Sequence, residues 1–182
     1  INAIQLPNTK IKILQQLLQQ VIADYKRTNK IKAMEFSERM KKLVEEYNNR
    51  HLDDFTVQVL DEVTKQLNDL LNDIKVDKEK FKELGISFEE KAFYDILVSC
   101  AQKFHFDNQY PDDKMKDLAK KVKSLVDDKT KYTDWDQRID VKAEMEADLM
   151  ILLDDNGYPP VPRNEVYNEV FEQAENFKKY AG

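Results

Sequence analysis

The sequence predicts an all-α protein, and three observations carry that expectation. Apolar residues recur at spacings of three and four along most of the chain, and no stretch keeps the period of two that a strand requires. Glycine and proline are scarce, three and five in 182 residues, so long helices meet few interruptions. Charged residues make up 35% of the chain, above the usual quarter, which suits the solvated faces of helices. The expected architecture is an irregular bundle of about seven helices with a long helical hairpin, in a single domain spanning 1–182.

Each element has its own signal. A first helix is expected from Thr9 to Lys26, capped by Asn8 with Pro7 just upstream. Ile11, Leu14, Leu18, Val21 and Tyr25 give it one apolar stripe, widened by Leu17 and Ile22. A second helix carries Phe36, Met40, Leu43, Val44 and Tyr47 and ends near "NNRH". A third runs from Asp54 to Leu84, with Leu60, Leu67, Ile74 and Phe81 seven apart and Val63, Leu70 and Leu84 between them. Only Asp77 breaks that seam. At 1.5 Å per residue this helix is about 45 Å long, so it either bends near "KVDK" or projects as one arm of the hairpin.

Gly85 is placed to end that helix in a left-handed cap. Ser87 and Glu90 form a capping box for a fourth helix carrying Phe88, Phe93, Tyr94, Ile96 and Leu97. "KFHFDNQYPDD" reads as loop, and Asp112 or Asp113 caps a fifth helix with Met115, Leu118, Val122 and Leu125. "DDKTKYTD" breaks it. Asp134 caps a sixth helix holding Trp135, Ile139, Met145, Leu149 and Leu152, which must stop at Gly157. Pro159, Pro160 and Pro162 then extend the chain into a stiff corner. Asn164 caps a last helix with Val166, Val170, Phe171, Ala174 and Phe177 on one face.

The residues that chemistry needs are not arranged for it. His51 and His105 complete neither HExxH nor ExxH, and one cysteine excludes a thiolate zinc cluster. "LLDDNG" fails as a calcium loop, because with Gly157 in the sixth position Leu152 and Arg163 stand where carboxylates are required. Three isolated glycines build neither a phosphate loop nor a dinucleotide fingerprint, and there is no GxSxG elbow. We therefore assign no catalytic, cofactor-binding or metal residues. Cys100 lies on an apolar face and reads as a packing thiol of a reducing interior, with a cytoplasmic location expected. The chain starts at Ile1 without a charged-then-apolar leader and reads as an excised piece lacking a signal peptide; no apolar run is long enough to span a bilayer.

Two features are candidates for contact. Lys116, Lys120 and Lys123, with Lys114 and Lys121, are candidates for a phosphate-facing patch on the fifth helix; Asp113, Asp117, Asp127 and Asp128 interleave and the net charge is −6, so an ordinary solvated face is the plainer reading. Trp135 and Tyr158, with Pro159 and Pro160, are candidates to anchor a protein partner. Core packing is the plainer role for Trp135.

Six stretches in order, "AIQLPNTKIKILQQLLQQVI", "KAMEFSERMKKLVEEYNNR", "ELGISFEEKAFYDIL", "YTDWDQRIDVKAEM", "NGYPP" and "VFEQAENFKKY", resemble the C-terminal region of the R (restriction and translocation) subunit of type I restriction-modification enzymes. The resemblance runs from about Ala3 to Tyr180. It implies a C-terminal helical fragment of a larger subunit whose nuclease domain and ATP-driven motor domains lie upstream. ATP and Mg belong to those domains, so the resemblance brings no cofactor and no catalytic residue here. It implies a non-catalytic assembly module docking the ATP-dependent translocase/endonuclease onto the methyltransferase core of modification and specificity subunits. DNA is then met through the complex. The alternative is a DNA-guiding module that contacts duplex phosphates beside the motor domains. The sixth helix, acidic in "EMEADLMILLDD", counts against DNA at that face.

Overall fold

The computed structural model describes residues 9–51, 54, 56–131 and 134–180, and these are helical with no strand among them. Seven helices of more than one turn form the frame: α1 (Thr9–Lys26), α2 (Lys30–Asn48), α3 (Val57–Glu79), α5 (Phe88–Lys103), α6 (Asp112–Lys129), α7 (Ile139–Asp155) and α8 (Asn164–Tyr180); a single turn, α4 (Phe81–Leu84), precedes α5. Two short 3₁₀ turns, Asp107–Gln109 and Trp135–Gln137, stand before α6 and α7. The chain divides into two compact units, one of α1, α2 and α3 up to Lys80 and one of residues 27–31 together with everything from Phe81 onward.

In the first unit α1 and α3 pack along each other. Ile11, Leu18, Ile22 and Tyr25 of α1 are buried, as are Val63, Leu67, Leu70 and Ile74 of α3. Asp77, the odd residue in the seam of α3, accepts a hydrogen bond from the Tyr25 hydroxyl at 2.7 Å, so a polar residue there has a partner on α1. Arg39 on α2 meets Asp73 on α3 at 2.5 Å. Leu17 departs from expectation: at 44% exposure it lies on the outer side of α1 with Ile13. The long third helix is interrupted at Lys80, just past "KVDK", and its N-cap is Thr56, whose side chain accepts from the Val59 amide. Asn8 and Pro7 lie outside the described residues.

In the second unit α5 touches both α6 and α8, and α7 closes against α6 and α8. Eight residues of α5 are buried, more than in any other helix among the described residues, which is what a helix flanked on two sides requires. Its N-terminus carries the expected capping box, with Ser87 Oγ accepting from the Glu90 amide at 3.1 Å and Glu90 accepting from the Ser87 amide at 2.7 Å.

Three helix ends in this unit share one device. At Gly85, His105 and Gly157 the backbone takes φ of +68°, +59° and +67°. The amide after each reaches back five residues: Ile86 to the Phe81 carbonyl, Phe106 to Ala101, Tyr158 to Leu153. The amides of Gly85, His105 and Gly157 themselves reach back three residues. This is the Schellman stop, which satisfies the last carbonyls and turns the next side chain inward. Ile86, Phe106 and Tyr158 are accordingly all buried.

Other caps differ from expectation. Asp112 does not cap α6; it is already helical, Pro111 holds the cap position, and the Asp112 carboxylate takes the Tyr94 hydroxyl and Lys116 instead. Asp134 precedes only the 3₁₀ turn and makes no side-chain cap bond, while α7 starts after Arg138. Asn164 is the first helical residue of α8, and the Arg163 carbonyl accepts from Val166 and Tyr167.

Candidate functional site

Trp135 and Tyr158 are both core residues of the second unit. Trp135 keeps 6% of its surface exposed, with the Lys142 ammonium 6.0 Å from its ring centre. Tyr158 is fully buried. The Schellman stop directs it under α5, where its hydroxyl donates to the Leu97 carbonyl at 2.6 Å. Phe106, directed inward by the stop at His105, and Tyr110 meet its ring edge-on at 5.3 and 5.2 Å. Burial pushes the Tyr158 hydroxyl far above the ordinary tyrosine range. Pro159 is buried beside it, and Pro160 is exposed together with Val161.

Cys100 is buried in the same core. Its thiol is pushed up to about 12, first by burial and then by the Glu169 carboxylate, to which it donates at 3.5 Å. A thiol so placed is a packing group rather than a nucleophile. Among the described residues no cluster of His, Cys, Asp and Glu has the arrangement to hold a metal ion, and no helix is long and apolar enough to cross a membrane.

Lys116, Lys120 and Lys123 of α6 are engaged within their own unit. Lys116 meets Asp112 at 2.7 Å, Lys120 lies 3.9 Å from Asp117, and Lys123 bridges Asp127 at 2.5 Å and Glu89 at 2.9 Å. The Lys123 ammonium is raised to about 12 by the hydrogen bonds it donates to Asp127 and then Glu89. Any phosphate at these positions competes with a carboxylate already in place.

The sequence pattern did not single out the outer face of α7. Val141, Met145, Leu149 and Leu153 point into the core, and the opposite side is apolar as well. Ile139 is 84% exposed, Ile151 57% and Met150 39%, and the small residues Ala143 and Ala147 lie exposed between them. At 100° per residue these five residues form one stripe. Over twelve residues at 1.5 Å it is about 18 Å long. Glu146, with Lys142 paired to Glu175 behind it, flanks it on one edge and Asp140, Glu144 and Asp155 on the other, so its rim is acidic in sum. Ile139 was expected in the core and lies outside it, because the inward face steps by four from Val141 to Leu153; Leu152, also expected there, is half-buried against the core. The signal available in the sequence was a second apolar stripe opposite the first, separated from it by charged residues, which a single buried face does not need.

The second unit is thus a set of helices around a packed core, with an apolar stripe left on the outer side of α7. The family model for the type I restriction enzyme HindI endonuclease subunit-like C-terminal domain matches residues 1–180, and the chain belongs to that family. Two relatives fit this assignment. One is the putative type I restriction enzyme MjaIXP endonuclease subunit of Methanocaldococcus jannaschii, 28% identical over 149 residues. The other is the type I restriction enzyme HindI endonuclease subunit of Haemophilus influenzae, 28% identical over 148 residues. Each match covers 81% of this chain and 13% of the relative, so the chain spans only a small part of the relatives' length. No solved structure matches it.

Proposed function

We propose that this domain is a non-catalytic assembly module, which docks an ATP-dependent translocase and endonuclease subunit onto a methyltransferase core of modification and specificity subunits. The observation that carries this reading is the exposed apolar stripe of α7 on a domain of the endonuclease-subunit family. An exposed stripe of large aliphatic side chains is costly in water unless a partner covers it. The upstream nuclease and ATP-driven motor supply the chemistry in this reading, with ATP and Mg bound there, and the domain supplies attachment.

Size-exclusion chromatography of the full-length subunit with the cognate methyltransferase core tests it, against a form lacking these 182 residues. Co-elution of the intact subunit and loss of co-elution on deletion is the expected result. Undiminished co-elution of the deleted form contradicts it. A parallel run with duplex alone addresses the alternative, guidance of DNA by Lys116, Lys120 and Lys123. The carboxylates beside those lysines and the net charge of −6 argue against that alternative.

A further inference from the structure

We infer that the outer stripe of α7 is the docking face of this domain, and that its occupant is an amphipathic helix of a partner subunit whose apolar stripe is flanked by lysine or arginine. The inference rests on the assembly reading above and names the surface and the chemistry that reading leaves open.

The geometry fits a helix. Ile139, Ala143, Ala147, Met150 and Ile151 follow the spacing by which one helix reads another, with large anchors at both ends and alanines between. The alanines leave room for close approach, so the partner's large side chains seat over Ala143 and Ala147 while Ile139 and Ile151 seat against its own small positions. The length, about 18 Å, matches a partner helix of three to four turns.

Charge selects the occupant. Glu146 on one edge and Asp140, Glu144 and Asp155 on the other frame the stripe with carboxylates. Lys129 and Arg138 contact Glu144 and Asp140, and Lys142 beside Glu146 is held by Glu175, so the frame stays acidic in sum through Glu146 and Asp155. A second copy of this chain would bring acidic rim to acidic rim between molecules of charge −6, and duplex phosphates would meet the same repulsion. A helix with basic flanks meets attraction on both edges and buries the stripe.

The test uses the full-length subunit and the cognate modification and specificity subunits. The double variant Ile139→Glu and Ile151→Glu changes two exposed positions, so its melting temperature should match the parent while affinity for the methyltransferase falls at least tenfold. The double variant Glu146→Lys and Asp155→Lys should weaken binding most at low salt, where rim charges act. A photo-crosslinker in place of Ala147 should attach to a partner helix bearing lysine or arginine beside the apolar stripe. Parent binding with unchanged affinity in the glutamate variant overturns the assignment of α7 and leaves the assembly reading standing. Absence of parent binding overturns both. A crosslink to a second copy, to the same chain or to DNA overturns the stated occupant.

Discussion

At the scale of residues, Tyr158 shows how one side chain joins a turn to a core. Gly157 is needed because only a residue free to adopt φ of +67° lets the Tyr158 amide return to the Leu153 carbonyl. The ring then fills the space under α5. Tyr158→Ala should lower stability by about 3–5 kcal/mol in denaturant unfolding, the usual cost of a large aromatic cavity. Tyr158→Phe keeps the packing, loses the bond to Leu97, and should cost only about 1 kcal/mol. A loss for Phe equal to that for Ala would contradict this division. Cys100 gives a kinetic counterpart. With its thiol raised to about 12 and buried, it should react with a thiol reagent at pH 8 far more slowly in native protein than in denatured protein. Rapid native labelling would contradict its placement.

At the scale of elements, the ends of helices decide the architecture as much as their stripes do. His105 occupies a left-handed position that glycine fills at the other two stops, and a side chain there carries strain. His105→Gly should therefore stabilise the chain by up to about 1 kcal/mol, while Ser87→Ala, which removes half of the capping box, should cost about 1 kcal/mol. Thermal melts of the two variants should move in opposite directions. These ends also mark what was legible in the sequence. Gly85, Gly157 and the Ser87–Glu90 box announce themselves within a few residues, and so do the stripes of α1 and α3. The stop at His105 does not, because only glycine advertises a positive φ.

Partners far apart in sequence were equally hidden. The connection 27–31 is fastened by Gln173, whose side-chain oxygen accepts from the Lys30 amide at 3.0 Å and whose amide donates to the Thr28 carbonyl at 2.9 Å. Asn29 donates to Asp95 at 2.6 Å, and buried Lys91 meets the same carboxylate at 2.5 Å. No local pattern relates residue 30 to residue 173. Of the candidate contact residues, Trp135 and Tyr158 read from sequence as large aromatics flanking the sixth helix, which suits either a surface or a core; burial alone separates the two. The stripe of α7 went unread because both of its faces are apolar, and periodicity cannot say which one the core takes.

At the scale of the whole molecule, acid stability follows from paired carboxylates, of which Asp127 ties α6 to α8 through Lys178 and Asp112 ties α6 to α5 through Tyr94. Burial raises Asp127, but hydrogen bonds from Lys123 and Lys178 outweigh it and leave the carboxyl below its ordinary 3.8. Asp112, held by Lys116 and then Tyr94, and Asp140, held by Arg138, are also depressed. A carboxylate depressed in the folded state stabilises it above the unfolded pKa, and that share is lost as pH falls through the folded value. The part of stability owed to these three groups should be constant near neutrality and vanish below 3.8. Asp127→Asn should flatten the melting temperature against pH in that acid range, and an unchanged slope would contradict the ties. The role proposed for this domain is attachment. Hydrogen exchange of the full-length subunit, alone and bound to the cognate methyltransferase core, tests it most directly. The account predicts slowed exchange on binding along α7, Ile139–Asp155. Complex formation with no change in exchange anywhere in this domain would contradict it.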